Sequence, residues 1–226
     1  MGFQHFTLNK FKLPSNMYNI TYFKATDHKD VIDFMNAHPF VLLCGVNNEG
    51  FPVATHVPVL LEVRNDKLFL QGHFMRKQEH TLSFEQHNKC LAVFSGAHSY
   101  VSASWYSQKN VASTWNYQAI HVKGHIHWMD DLSLYQLLDK LTSHFEGNDN
   151  SAASFKKMDE AYIQKNIKAI VGFEVEVHAL EHVYKLSQNR DKESYSNITA
   201  ELKKGNEDQQ FIAGEMEKRK EQLFGK

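Results

Sequence analysis

The sequence predicts a mainly β fold with α additions: a barrel wound from a meander of strands, followed by a helical C-terminal tail. Three observations lead there. Strand-length apolar runs recur between Phe40 and Gly72, separated by turn residues at Asn47-Asn48-Glu49-Gly50 and Asn65-Asp66. Two later segments, Ala119–Trp128 and Ala169–Leu180, alternate apolar and polar residues with the period of a strand. From Asp191 onward apolar residues become sparse and charge dominates.

Taken in order, residues 1–26 read as an extended arm pinned by Tyr18, Tyr22 and Phe23. Asp27 is placed to cap a helix through Met35, which the His38-Pro39 step ends. Phe40–Val46 is a strand, and Gly50 supplies the positive φ of the turn after it. Phe51–Val63 reads as one long strand bent near Pro52 or Pro58, and Lys67–Gly72 as the next. Residues 75–87 have helical character, with Leu82 and Phe84 directed inward, and residues 89–97 form a further strand. In Ala119–Trp128, Ile120, Val122, Gly124, Ile126 and Trp128 share one face, with His121, Lys123, His125 and His127 on the other. Asp130 or Asp131 starts a helix with a Leu134, Leu137, Leu138 and Leu141 face, ending near Gly147. A short helix follows around Met158–Asn166, and Ala169–Leu180 is the last strand. The division expected is residues 1–190 as the barrel with its arm, and residues 191–226 as a charged helix pair packed on the barrel or on a partner subunit.

Composition narrows the function classes. The 226 residues are 42% hydrophobic, enough for a sizeable core, and the formal charge of -1 gives no whole-molecule attraction to DNA or an anionic membrane. No stretch approaches eighteen apolar residues and the N-terminus lacks a signal-peptide core, so a cytoplasmic protein is expected. Cys44 and Cys90 sit in apolar strand runs and read as buried thiols, a disulfide not being demanded by their spacing. Among the fourteen histidines, His121, His125 and His127 share a strand face; surface or groove residues are the commoner reading, a metal site the other. GxGxxG, P-loop, HExxH and GxSxG signatures are absent, which removes the usual dinucleotide, nucleotide, zinc-protease and serine-hydrolase readings.

What remains is a set of polar-aromatic stretches at strand ends: ATHVP (54–58), GHFMRK (72–77), SYVSASWY (99–106), STWNY (113–117) and YKLSQNR (184–190). Flat aromatic faces with Arg76 and Lys77 beside a helix start suit a planar anionic ligand. Aromatic loops that serve only a dimer interface are the other reading of the same residues.

These stretches, in this order, resemble the PaiB-type family of FMN-binding negative transcriptional regulators. HPFVLLCG (38–45), ATHVPVLL, LFLQGHFMRK, YVSASWY, STWNYQAIHVKG, AIVGFEVEV and KLSQNR carry the resemblance, which covers about residues 14–195. It implies an FMN-binding split β-barrel that forms a homodimer with FMN in a groove between subunits. It places Thr55, His56, Val57 and Pro58 along the isoalloxazine ring, and His73, Arg76 and Lys77 near the phosphoribityl chain. Ser102, Trp105, Tyr106, Trp115 and Asn116 would close the site, with Lys185 and Gln188 approaching from the partner. The sequence departs from the family pattern where prolines are usual, at Ile20, Ala103 and Ser113. It departs again at Lys77-Gln78-Glu79, where a small residue and Asn-Pro are common, and at Glu181–Tyr184, which replaces Gly-Lys-Trp. These departures bear on loop geometry and cofactor affinity. Transcriptional regulation, with DNA as a partner, is implied by the resemblance alone, since no helix-turn-helix pattern or basic surface accompanies it. The alternative is an FMN-dependent oxidoreductase acting on a small substrate, with His56 and His73 as acid–base candidates. A scaffold or haem-handling protein without FMN is a third reading.

Overall fold

The computed structural model describes residues 20–25, 27–148 and 151–225. Asp27 caps the first helix, α1 (His28–Ala37), by accepting the Asp30 N–H at 2.8 Å, and Pro39 follows its end. Tyr18 lies outside the described residues; Phe23 is buried in a short turn of 3-10 helix while Tyr22 is half exposed.

The strands are β1 (Phe40–Val46), β2 (Pro52–Pro58), β3 (Leu60–Arg64), β4 (Lys67–Met75), β5 (Lys89–Val101), β6 (Thr114–Trp128) and β7 (Ile170–Lys185). The helices after α1 are α2 (Glu79–Gln86), α3 (Asp131–Glu146), α4 (Glu160–Ile167), α5 (Lys192–Leu202) and α6 (Glu207–Phe224). One seven-stranded sheet has the order β2-β1-β5-β6-β7-β4-β3, and β1–β2, β1–β5, β3–β4 and β4–β7 pair antiparallel. This curled sheet with its C-terminal helices is the split-barrel architecture expected. The long strand expected over 51–63 divides at Val59, whose N–H leaves the ladder and donates to Pro39 O at 2.9 Å. Proline at both ends of β2 is tolerated because β2 is an edge strand and needs no donor on its outer side.

The chain forms two compact units. The first holds residues 35–94 and 121–180. Its core is led by Phe74, stacked on Phe173 at 4.2 Å and on Phe84 at 5.7 Å, with Leu43, Leu68, Leu70 and Val175 fully buried. Of the two residues of α2 expected to point inward, Phe84 does and Leu82 is 47% exposed. In an eight-residue helix Phe84 fills the space over Gly45, where a Cβ would come 2.4 Å from its ring, and Leu82 falls on the opposite face. Asp130 caps α3 through the Ser133 N–H at 2.8 Å, and Gly147 ends it at φ 62. Gly72 permits the sheet to curl: a Cβ there would lie 2.7 Å from Phe173 and 3.0 Å from the Pro58 carbonyl, so β2 passes close over β4.

The second unit holds residues 13–34, 95–120 and 181–226, described from Ile20. Tyr184, Tyr195, Ile198, Leu202, Ile212 and Met216 form its core. Asp191 caps α5 through the Ser194 N–H at 2.9 Å, and Asn206 with Gln209 makes a reciprocal capping box at the start of α6. The Tyr195 hydroxyl donates to Met216 O at 2.8 Å, tying the two helices together. No described helix is long and apolar enough to cross a membrane.

Candidate functional site

The fourteen residues singled out in the sequence divide evenly, seven in each unit. In the first unit, Thr55, His56, Val57 and Pro58 end edge strand β2. The period of the strand exposes His56, which stacks on Phe40 at 5.7 Å, and buries Val57 to 3% exposure. The Val57 side chain therefore belongs to the core. The Pro58 carbonyl approaches Gly72, and the next residue on β4 is His73, so the end of β2 lies close to this part of β4. Burial lowers the pKa of His73, and its Nδ1 is buried without a hydrogen-bond partner. A neutral imidazole with an unused nitrogen at the end of a strand is ready for an exogenous polar group.

Arg76 and Lys77 follow β4 directly. The Arg76 N–H is held by Ala169 O at 2.8 Å, and Lys77 adopts φ 61, which turns the chain into α2 two residues later. Gln78 at the N-cap makes no side-chain hydrogen bond to the helix, so the first-turn N–H groups are not capped from within. Both cations are exposed, and neither pairs with a carboxylate among the described residues. Backbone donors with two unpaired cations at a helix start are the physical requirements for holding a phosphate.

In the second unit, three sequence motifs form one network. Ser102 caps a 3-10 turn over Ala103–Trp105, accepting the Ser104 N–H at 3.2 Å, and the Ala103 N–H donates to Ser113 Oγ at 2.9 Å. Ala103 and Ser113, both departures from the family's prolines, thus replace two rigid positions by one hydrogen bond between their loops. Trp115 is 52% exposed, with Tyr100 edge-on at 5.9 Å. Asn116 is fully buried: it accepts from Ser187 Oγ at 3.0 Å and donates to Met216 Sδ at 3.5 Å. Gln188 accepts the Leu186 N–H at 2.7 Å and donates to Tyr184 O at 2.5 Å, which closes its own loop. Asn116 and Gln188 therefore shape the second group, the amide oxygen and nitrogen of each already making one internal hydrogen bond.

Lys185 donates to Thr114 Oγ1, and its pKa is lowered by burial and then by neighbouring Arg190. Arg190 lies 4.2 Å over the Tyr106 ring, whose hydroxyl is buried without a partner. Lys185, Ser187 and Arg190 line a cleft of about 260 Å³ with Tyr22, Ser113 and Thr114. Arg190, Thr114 and Ser187 stood inside the quoted motifs but were not picked out. Only the folded loop shows that they hold Tyr106, Lys185 and Asn116 in place. Burial pushes the Cys90 thiol up to about 12, and both cysteines are free, so neither offers a thiolate.

Residues 17–179 match the family model described as "Putative FMN-binding domain". "Protease synthase and sporulation protein PAI 2" of Bacillus subtilis is 32% identical over 186 residues, covering 82% of this chain and 89% of that protein. Among solved structures, an FAD and heme binding protein from Mycobacterium smegmatis superposes with a TM-score of 0.55 at 15% identity, over 71% of this chain and 72% of that one. A flavocytochrome from Azotobacter vinelandii gives 0.54 at 12% identity, over 71% and 68%. At such identities the two structures speak to the fold alone.

Proposed function

The chain belongs to the FMN-binding domain family and is an FMN-binding protein related to the PaiB regulators; from that premise we propose that it is a homodimeric regulator whose flavin phosphate is held by Arg76, Lys77 and the start of α2. The observation that carries this reading is the unpaired Arg76-Lys77 pair beside first-turn N–H groups that no side chain caps. His73, neutral and with Nδ1 unpartnered, would meet a polar edge of the cofactor, while the exposed faces of His56 and Trp115 would lie against flat surfaces. Lys185, beside Arg190 and without a carboxylate among the groups that shift it, suits a second anionic or electron-rich contact.

FMN, when bound, supplies one- and two-electron redox chemistry. The chain's own residues bind and orient it. Among the described residues β2 is an edge strand, and a symmetric partner would both pair it and cover the aromatic strand ends. A cytoplasmic location and a regulatory output complete the proposal; binding of upstream DNA, with and without FMN, is its regulatory arm.

Titrating wild type and Arg76→Ala with FMN and with riboflavin, by flavin fluorescence, tests the phosphate contact. Loss of one charge-assisted hydrogen bond should weaken FMN by about 1.5–3 kcal/mol, roughly ten- to a hundredfold, and leave riboflavin nearly unchanged. Equal FMN affinity in the two proteins would remove the phosphate role. Light scattering should report twice the 26.2 kDa chain mass, and a monomer at low micromolar concentration would remove the dimer.

A further inference from the structure

The polar face of the last two long strands carries an imidazole pair that the flavin reading does not use. His125 on β6 and His178 on the adjacent β7 place Nδ1 and Nε2 2.8 Å apart. Their ring centroids are 4.4 Å apart and their planes cross at 78°. A head-on N–H···N bond of that length, along both ring axes, would separate the centroids by about 5 Å. The shorter separation means that the two axes do not oppose each other. If they converge symmetrically, each nitrogen lies about 2.0 Å from a common point, with an angle near 90° there. Those are the bond length and cis angle that a square-planar, imidazole-preferring ion takes.

From this close, off-axis approach of two ring nitrogens we infer that His125 and His178 form a two-imidazole chelate for a late first-row divalent ion, Cu(II) foremost. Both side chains are solvent-accessible, so water fills the remaining positions. Among the described residues no third His, Cys, Asp or Glu completes a ligand set, which favours the tetragonal ion with two protein nitrogens over zinc in a closed tetrahedral site. Glu176 is engaged by Lys67 at 2.5 Å and lies 3.7 Å from His127, so it offsets part of the local positive charge without being a ligand.

The test uses the untagged, FMN-loaded protein with substoichiometric Cu(II) chloride, read by electron paramagnetic resonance and by titration against a competing chelator. Wild type should show nitrogen hyperfine structure from two imidazoles. His125→Gln and His178→Gln should each lose one nitrogen and bind Cu(II) at least tenfold more weakly. His127→Gln, which leaves the pair intact, should keep the wild-type spectrum and affinity. The inference is overturned if either pair variant, folded by circular dichroism, keeps the wild-type spectrum and affinity, or if His127→Gln abolishes them. It is likewise overturned if wild type shows only single-nitrogen copper spread over its other histidines.

Discussion

Replacing Asn116 with alanine separates two roles that the TWNY motif could have, flavin contact and internal brace. The side chain is fully buried, and its carbonyl accepts the hydroxyl of Ser187, itself only 1% exposed. Alanine would leave that hydroxyl buried and unpaired, a loss of about 1–3 kcal/mol. The void beside Met216 adds about 1 kcal/mol. The sum, about 2–4 kcal/mol, corresponds to a melting-temperature drop of roughly 5–15 °C for a chain of this size. The assay is thermal unfolding of flavin-free and FMN-saturated protein for wild type, Asn116→Ala, Ser187→Ala and the double variant. Ser187 sits at φ 62, but serine and alanine share a Cβ, so that strain cancels in the comparison. The double variant should cost less than the sum of the singles by about 1 kcal/mol, because the second substitution removes an already orphaned group. Additive losses within about 0.3 kcal/mol would refute the brace. So would an unchanged melting temperature of flavin-free Asn116→Ala alongside a loss of FMN affinity.

Other perturbations follow from equally local geometry. Gly124→Ala would place a Cβ 2.4 Å from the Glu176 carbonyl oxygen, backbone that cannot yield, and 2.5 Å from the Val175 side chain, and should cost about 1–3 kcal/mol or more in urea unfolding. Gly214→Ala, in α6 with nothing within 4 Å of the new Cβ, should instead raise stability by about 0.5–1 kcal/mol, and a fall would contradict that open space. His182 is held down to about 4 by burial, with Lys24 and His28 adding to it, so the unfolded chain takes up its proton first. Its contribution is complete above the ordinary value near 6.5 and is lost as pH falls from there toward 4, to a limit of about 3 kcal/mol. His182→Phe should therefore flatten the acid limb of stability between pH 7 and 4.5; the same slope in both proteins would rule His182 out as its source.

The elements were legible because their signals are local. Asp27 and Asp130 cap the helices that follow them, and the alternation from Ile120 to Ile126 became a strand with that face buried. Leu82 was misplaced because an eight-residue helix offers too few turns for periodicity to fix which apolar residue faces the core. The single strand expected over 51–63 divided because only the folded chain brings Pro39 O within reach of the Val59 N–H. Within the candidate site, Arg76 and Lys77 stand where the order of residues put them, since a strand end and a helix start are neighbours along the chain.

By itself, then, the sequence determined the element order and the cationic strand end, because each depends on residue type at short spacing, while its ordered motifs carried the resemblance to the FMN-binding family. Tertiary structure alone decided which motif residues are tied to one another by internal hydrogen bonds. Asn116 and Gln188 look like ligand groups in the sequence, yet folding turns Asn116 onto Ser187 and Met216 and Gln188 back onto its own loop. His73 is left with a nitrogen unpaired. The reason is physical: a buried polar atom must find a partner, and the partner that satisfies Asn116 lies 71 residues away, a distance that only the fold closes.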